Sequence, residues 1–281
     1  MSTPIQFEGL SNVRDLGGMR TKQGRTIRTG RLFRSDQLFF ASETDRAKLE
    51  QMGIRLVADF RSGIERDEKP DPELPGAINL HLPIIRDVLE GVTRDENSNK
   101  RIMARIMAEG GSDLSFIDSY MNDIYRNFVA DSYSREQYAQ FVDEVIAALR
   151  QDGSALWHCT AGKDRAGFAT VILLEALDVP REDIKADYLQ TNECLEGITA
   201  QIVNMLTSGA LIGQKPQIDN ETLESVKIAL AHFLRADEEF LAGAYAAADE
   251  LFGSFGAYLE QGLGLDAAKR TELEQLCLEA E

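Results

Sequence analysis

The segment from Ala155 to Leu177 constrains the fold more than any other part of the chain. An apolar run, Ala155-Leu156-Trp157, leads into His158-Cys159-Thr160-Ala161-Gly162-Lys163-Asp164-Arg165-Ala166-Gly167, and Phe168 to Leu177 is then almost continuously apolar. A helix with no polar face is buried on every side, so this strand–loop–helix unit belongs at the centre of a layered structure. Where such a loop meets a helix start, its backbone N–H groups and the helix dipole form a cradle for an anion. The same positive potential favours the thiolate of a cysteine at the base of the cradle, here Cys159. A nucleophile beneath a bound phosphate is what phosphoryl transfer through a thiophosphate requires. A Walker-type loop is excluded, because Gly162-Lys163 is followed by Asp164, not Ser or Thr.

Five residues separate Cys159 from Arg165, a spacing that means little alone in a chain with many arginines. Its context makes it specific. Small residues stand where backbone must approach a ligand, and the arginine falls at the helix start. Arg165 is expected to fork two N–H donors onto phosphate oxygens and to hold them more tightly in the transition state. The backbone of Thr160, Ala161, Gly162, Lys163 and Ala166 is expected to line the cradle, with Gly162 supplying conformational freedom. His158 is expected to order the loop and to favour the thiolate. It is also the residue type of a satisfied core histidine, and the two roles are compatible. Asp164 beside a phosphate dianion is repelled unless it turns outward or carries a proton. A protonated Asp164 can donate to the leaving-group oxygen, and Asp87, in the loop after a strand ending near Leu82, is the rival for that role.

The rest of the chain reads as strands alternating with helices. Residues 1–30 contain Gly17-Gly18 and Gly24 and read as loops with short hairpin strands. Leu32-Phe33-Arg34, Ile54–Phe60 and Ala77–Leu82 are strand candidates. Ser42 and Asp45 mark a helix start of capping-box type, and Gly53 closes that helix. Residues 112–130 suit a helix. In Arg135–Arg150 the residues Tyr138, Phe141, Val142, Val145, Ile146 and Leu149 fall on one helical face. Pro180 opens a helix running to about Cys194, and the remainder is largely helical. This alternation predicts an α/β fold with a central, mainly parallel sheet flanked by helices and a ligand at the carboxyl ends of the strands.

Composition narrows the classes. The 281 residues show no linker and no repeat, which favours a single domain over residues 1–281. A formal charge of −17 opposes nucleic acid and anionic membranes as partners. It also requires an anion site to carry its own positive charge, for which Lys163, Arg165, Arg14, Arg34, Arg61 and Arg66 are candidates. No signal peptide or membrane-length apolar stretch is visible, so a cytoplasmic location without membrane insertion is expected. Three cysteines make no disulfide framework, and three histidines without paired ligand spacing suggest no metal site. No cofactor is implied.

The run His158-Cys159-Thr160-Ala161-Gly162-Lys163-Asp164-Arg165 resembles the signature loop of the bacterial tyrosine-protein phosphatases with an HCxxGKDR motif. The likeness continues in order through Asn12-Val13-Arg14-Asp15-Leu16-Gly17-Gly18, Arg31–Asp36, Asp59-Phe60-Arg61-Ser62 with Glu65, Ala186-Asp187-Tyr188-Leu189, and Gly253-Ser254-Phe255 with Tyr258-Leu259. It implies a cysteine-phosphatase-like fold, a phosphotyrosine substrate and a functional role for Asp164. Phosphoserine, phosphothreonine and phosphoinositides are further candidate substrates, since phosphoinositide phosphatases carry a lysine at the position of Lys163. Arg14, Asp59 and Arg61 are expected to support the loop, with Arg14 paired to Asp15. The helical segments 92–134 and 197–245 lie outside the minimal architecture; the resemblance implies a lid, and plain helical packing is the rival reading of the same residues. One position departs from the family: Ala166 replaces the usual Ser or Thr, whose hydroxyl stabilises the cysteine sulfur as a leaving group. The rival readings are a phosphate-dependent binding module with impaired turnover, and a sulfur- or arsenate-handling enzyme with a similar loop.

Overall fold

The structure, a computed structural model, describes residues 1–86, 102, 104–111, 113–208 and 219–280. Six strands form one sheet: β1 (Thr3–Pro4), β2 (Arg14–Asp15), β3 (Leu32–Ser35), β4 (Ile54–Asp59), β5 (Ile78–His81) and β6 (Ser154–His158), in the order β1-β2-β3-β6-β4-β5. β1, β2 and β3 pair antiparallel, whereas β3, β6, β4 and β5 are parallel neighbours. β6 lies between β3 and β4 and is buried at all five of its residues, as expected for a strand covered on both faces. The register places Ser35, His158, Asp59 and His81 in one row across the carboxyl ends of the four parallel strands. That row is the floor of the site.

Side-chain alternation divides the core. Leu32, Leu56, Ala58, Ala155 and Trp157 face the larger cluster, which runs on through the helices to Leu278. Phe33, Val57 and Leu156 face a smaller cluster with Leu38 and Leu49. The period of two along each strand causes this split.

The helices are α1 (Glu43–Gln51), α2 (Gly63–Glu68), α3 (Ser115–Ala130), α4 (Ser132–Arg150), α5 (Arg165–Ala176), α6 (Arg181–Ser208), α7 (Asn220–Leu234), α8 (Glu238–Phe252), a short α9 (Phe255–Ala257) continuing as a π turn, and α10 (Ala267–Cys277). Ser42 and Asp45 form the expected capping box, and Gly53 follows α1 with φ +66. The stripe from Tyr138 to Leu149 on α4 is buried. All but two residues of α5 are buried, as its apolar composition requires. The helix after Pro180 runs well past Cys194, to Ser208. One interior glycine, Gly197, costs only about 1 kcal/mol and does not stop a helix.

The C-terminal residues return to the centre. Phe255 and Tyr258 are fully buried, with ring centroids 6.2 and 6.3 Å from Phe168 of α5. Phe128 of α3 stacks on the same ring at 5.6 Å. The helix that begins at Arg165 is therefore fixed by aromatic packing from segments before and after it in the chain.

Candidate active site

β6 ends at His158 and α5 starts at Arg165, so the intervening loop arches over the carboxyl edge of the sheet. Cys159 is only 2% exposed. Gly162 has φ +67, and a Cβ there would lie 2.4 Å from the carbonyl oxygen of Ser35, so no other residue fits this turn without strain. The loop's outward carbonyls are held from outside: Asn12 Nδ2 donates to Ala161 O at 3.0 Å, Arg34 Nη2 to Gly162 O at 2.6 Å, and Gln37 N to Thr160 O at 3.2 Å.

Arg165 is oriented by Glu65. Its Nη1 donates to Glu65 Oε2 at 2.6 Å and its Nη2 to Glu65 Oε1 at 2.9 Å. Glu65 also accepts from the Thr160 hydroxyl and from the Ser62 backbone N–H. Burial alone would favour the neutral acid, but Arg165, Thr160 and Ser62 outweigh it and hold the Glu65 carboxyl far below the usual range. Glu65 reaches this place because it is the third residue of α2, in a capping box with Ser62. The resemblance included Glu65 without giving it a role; the Ser62-x-x-Glu65 spacing was its readable signal.

Two buried ionic groups brace the floor. Arg61 donates to Asp59 through Nε (2.9 Å) and Nη2 (2.8 Å), and Nη2 also lies 2.8 Å from Asp71 Oδ2. His158 Nε2 is 3.0 Å from Asp71 Oδ2. Burial disfavours a charged His158, yet Asp59 and Asp71 raise its pKa above the ordinary value. Burial acts against ionised Asp59 too, and His158 and Arg61 pull it down to about 2. Asp59, Asp71 and His158 bring ligand atoms within 4.8 Å of one another. The Arg61 guanidinium bridges the two carboxylates and supplies the positive charge a metal would bring.

The second group is centred on Asp187 of α6. Arg34 Nη1 lies 3.0 Å from Asp187 Oδ2, and Arg14 Nη1 donates to the Asp187 carbonyl at 2.6 Å and lies 3.4 Å from Oδ1. All three residues are buried. Burial, and then Arg34, lower the pKa of Arg14 to about 10. The expected Arg14–Asp15 pair does not form. Adjacent residues of a strand point to opposite faces, and Asp15 accepts instead from the backbone N–H groups of Gly17 and Gly30. Of the other cationic candidates, Arg66 is on the surface beside Asp67.

The two remaining loop residues turn toward the helices. Lys163 is 5% exposed, and its Nζ donates to the carbonyls of Phe233 and Arg235 at 3.1 Å each, at the C-terminal end of α7. A cation there complements the helix dipole. Asp164 precedes α5 and remains partly exposed. Its Oδ1 accepts from the Tyr125 hydroxyl at 2.8 Å and lies 3.5 Å from Lys163 Nζ. Ala166 is fully buried, and its carbonyl accepts from Trp157 Nε1 and the Thr170 hydroxyl. Asp87 lies outside the described residues. The structure thus gathers Cys159, Thr160, Arg165 and Glu65 in one place, with Asp164 at the rim. Arg14, Asp59, Arg61 and His158 stand behind the loop. Asp71 and Tyr125 had carried no signal of a role at the loop, and Asp187 stood in the resemblance without one.

Comparison with known proteins shows the family. The model of the tyrosine phosphatase family matches residues 5–279. The chain is 30% identical over 262 residues to the triple specificity protein phosphatase PtpB of Mycobacterium tuberculosis, covering 90% of this chain and 92% of that one. It is 34% identical over 266 residues to a putative tyrosine-protein phosphatase of Cupriavidus necator, covering 94% and 86%. No helix among the described residues is long and apolar enough to cross a membrane.

Proposed function

The chain belongs to the tyrosine phosphatase family, and from that membership we propose that it hydrolyses phosphotyrosine through a cysteinyl-phosphate formed on Cys159. The observation that carries the reading is the forked pairing of Arg165 by Glu65 beside Cys159, at the carboxyl edge of the sheet. Glu65 fixes the guanidinium plane, so the fork meets the phosphate oxygens in one orientation. Backbone N–H groups from Thr160 to Ala166 complete the cradle.

In the first step the Cys159 sulfur attacks phosphorus in line. The S–P bond forms, the bond from phosphorus to the leaving oxygen breaks, and Asp164 gives its proton to that oxygen. In the second step a water attacks phosphorus, Asp164 takes the water's proton, and the S–P bond breaks to release phosphate and the thiolate. Arg165 stabilises the charge on the equatorial oxygens in both steps. We read residues 1–281 as a single phosphatase domain with a lid drawn from the helical segments about 92–134 and 197–245, of which residues 92–101, 103, 112 and 209–218 lie outside the described residues. The contacts of Lys163 and Asp164 with α7 and α3 support this.

The substrate range extends in this reading to phosphoserine, phosphothreonine and phosphoinositides. The name of the mycobacterial relative, a triple specificity phosphatase, supports a broad range. The buried methyl of Ala166 favours a second reading, a phosphate-dependent binding module with slow turnover, because the hydroxyl usual at this position is missing.

Rapid-mixing hydrolysis of para-nitrophenyl phosphate by reduced, chelator-treated protein separates the two. A burst that Cys159→Ser removes, followed by slow turnover that Ala166→Ser accelerates, is the expected result. Hydrolysis undiminished in Cys159→Ser would end the covalent mechanism. No nitrophenol release from the parent protein would favour the binding module.

A further inference from the structure

The Asp164 carboxylate is engaged by a side chain of α3, which in turn meets a side chain of α6. Tyr125 of α3 donates its hydroxyl proton to Asp164 Oδ1 at 2.8 Å, and the Tyr125 and Tyr188 oxygens are 2.6 Å apart. Both rings are buried, packed edge to face with centroids at 6.1 Å. A phenol has one proton, and Tyr125 spends its own on Asp164. The proton between the two tyrosines therefore comes from Tyr188. The chain of donors runs in one direction: Tyr188 O–H, Tyr125 O–H, Asp164 Oδ1. Burial first, and then the nearby charge of Asp164, push the Tyr125 hydroxyl well above its ordinary pKa, so it remains a donor across the working range.

We propose that Tyr125, aligned by Tyr188, is a positioning residue for phosphoryl transfer: it occupies Oδ1 of Asp164 and thereby puts the transferable proton on Oδ2. A carboxylic acid carries its proton on one oxygen at a time. With Oδ1 committed as an acceptor, Oδ2 is the oxygen that donates to the leaving group and later takes the proton from water. The bond also fixes the carboxyl rotamer, which on a partly exposed aspartate is otherwise loose. Helix α3 thus contributes a residue to the working of a loop 39 residues further along the chain.

The inference rests on Asp164 as the general acid, and the test keeps the two apart. Tyr125→Phe and Tyr188→Phe each remove one oxygen and leave the ring. Their kcat/KM values, with those of Asp164→Asn and the Tyr125→Phe/Asp164→Asn double variant, are measured on aryl phosphates of graded leaving-group basicity, beside melting temperatures. Tyr125→Phe should lose about ten-fold on phenyl phosphate, the scale of a hydrogen bond to a charged group. It should lose little on para-nitrophenyl phosphate, whose leaving group needs no proton. Tyr188→Phe should show the same trend more weakly. In the Asp164→Asn background Tyr125→Phe should add nothing, the mark of two residues acting as a unit. A steep leaving-group dependence in Asp164→Asn with none in Tyr125→Phe overturns the positioning role alone. A loss in Tyr125→Phe that is uniform across leaving groups and follows melting temperature does the same. A flat dependence in Asp164→Asn overturns the acid assignment and this inference with it.

Discussion

The two sides of the signature loop are held by different physics. Behind it, toward the sheet, the supports are buried charges: Arg34 and Arg14 on Asp187, and Arg61 and His158 on Asp59 and Asp71. In front, Lys163 and Asp164 make a few hydrogen bonds to α7 and α3, and Asp164 stays partly open to solvent. A buried ion pair is costly to break, because the partner left behind has no water to turn to. A hydrogen bond to the partly exposed Asp164 costs less to lose. The loop therefore has its most costly supports behind it.

Asp187→Asn should break this contrast most severely. It leaves Arg14 and Arg34 buried without their counter-charge, and the expected loss is about 3–5 kcal/mol of stability in urea unfolding. A loss below about 1 kcal/mol would mean that the rear support is not electrostatic. Glu65→Gln comes next. The Arg165 fork loses its charged partner, and kcat/KM should fall about a hundred-fold, the effect of misplacing a catalytic group by about an ångström. Unchanged kinetics would show that the cradle orients Arg165 without Glu65.

The dependence on pH sharpens the same point. Asp59 has a folded pKa of about 2, below its unfolded value of roughly 3.9, so its contribution is present above roughly pH 3.9 and disappears as pH falls through 2. His158 has a raised folded pKa, so its contribution is complete below about 6.5 and is lost as pH rises through the raised value. Urea midpoints should therefore decline toward both extremes. Asp71→Asn removes one of the carboxylates that hold up His158 and should move the alkaline decline to lower pH; an unmoved decline would assign it to another group.

Lys163→Met should have the smallest effect on stability, about 1 kcal/mol for hydrogen bonds at a helix end. If Lys163 swings to the substrate during turnover, phosphoinositide hydrolysis will suffer more than phosphotyrosine peptide hydrolysis. Equal losses would restrict Lys163 to joining the loop to α7.

The loop was legible because its chemistry is contiguous. The proposed nucleophile, cradle and arginine fall between Cys159 and Ala166, and the strand before and helix after them have strong local patterns. Glu65 lies 100 residues from Arg165. Its spacing from Ser62 is that of a capping box, yet nothing local says which arginine that helix faces. Asp71 and Tyr125 had no signal at all. An aspartate in a polar turn and a tyrosine on an amphipathic helix are ordinary residues until the chain folds. Arg14 was singled out but given the wrong partner, because nearness in sequence suggested Asp15 and strand geometry forbids it.

By itself, the sequence determined the strand–loop–helix unit and the division of the chain into alternating strands and helices. These follow from hydrophobic period, turn residues and helix capping, all of which act within about ten residues. Tertiary structure decided which charges meet. The row of strand ends that brings Ser35, His158 and Asp59 together arises from sheet register. Once those positions are buried, each charge must find a partner wherever the fold puts one. That requirement, which no local pattern encodes, selected Glu65 for Arg165 and Asp187 for Arg14 and Arg34.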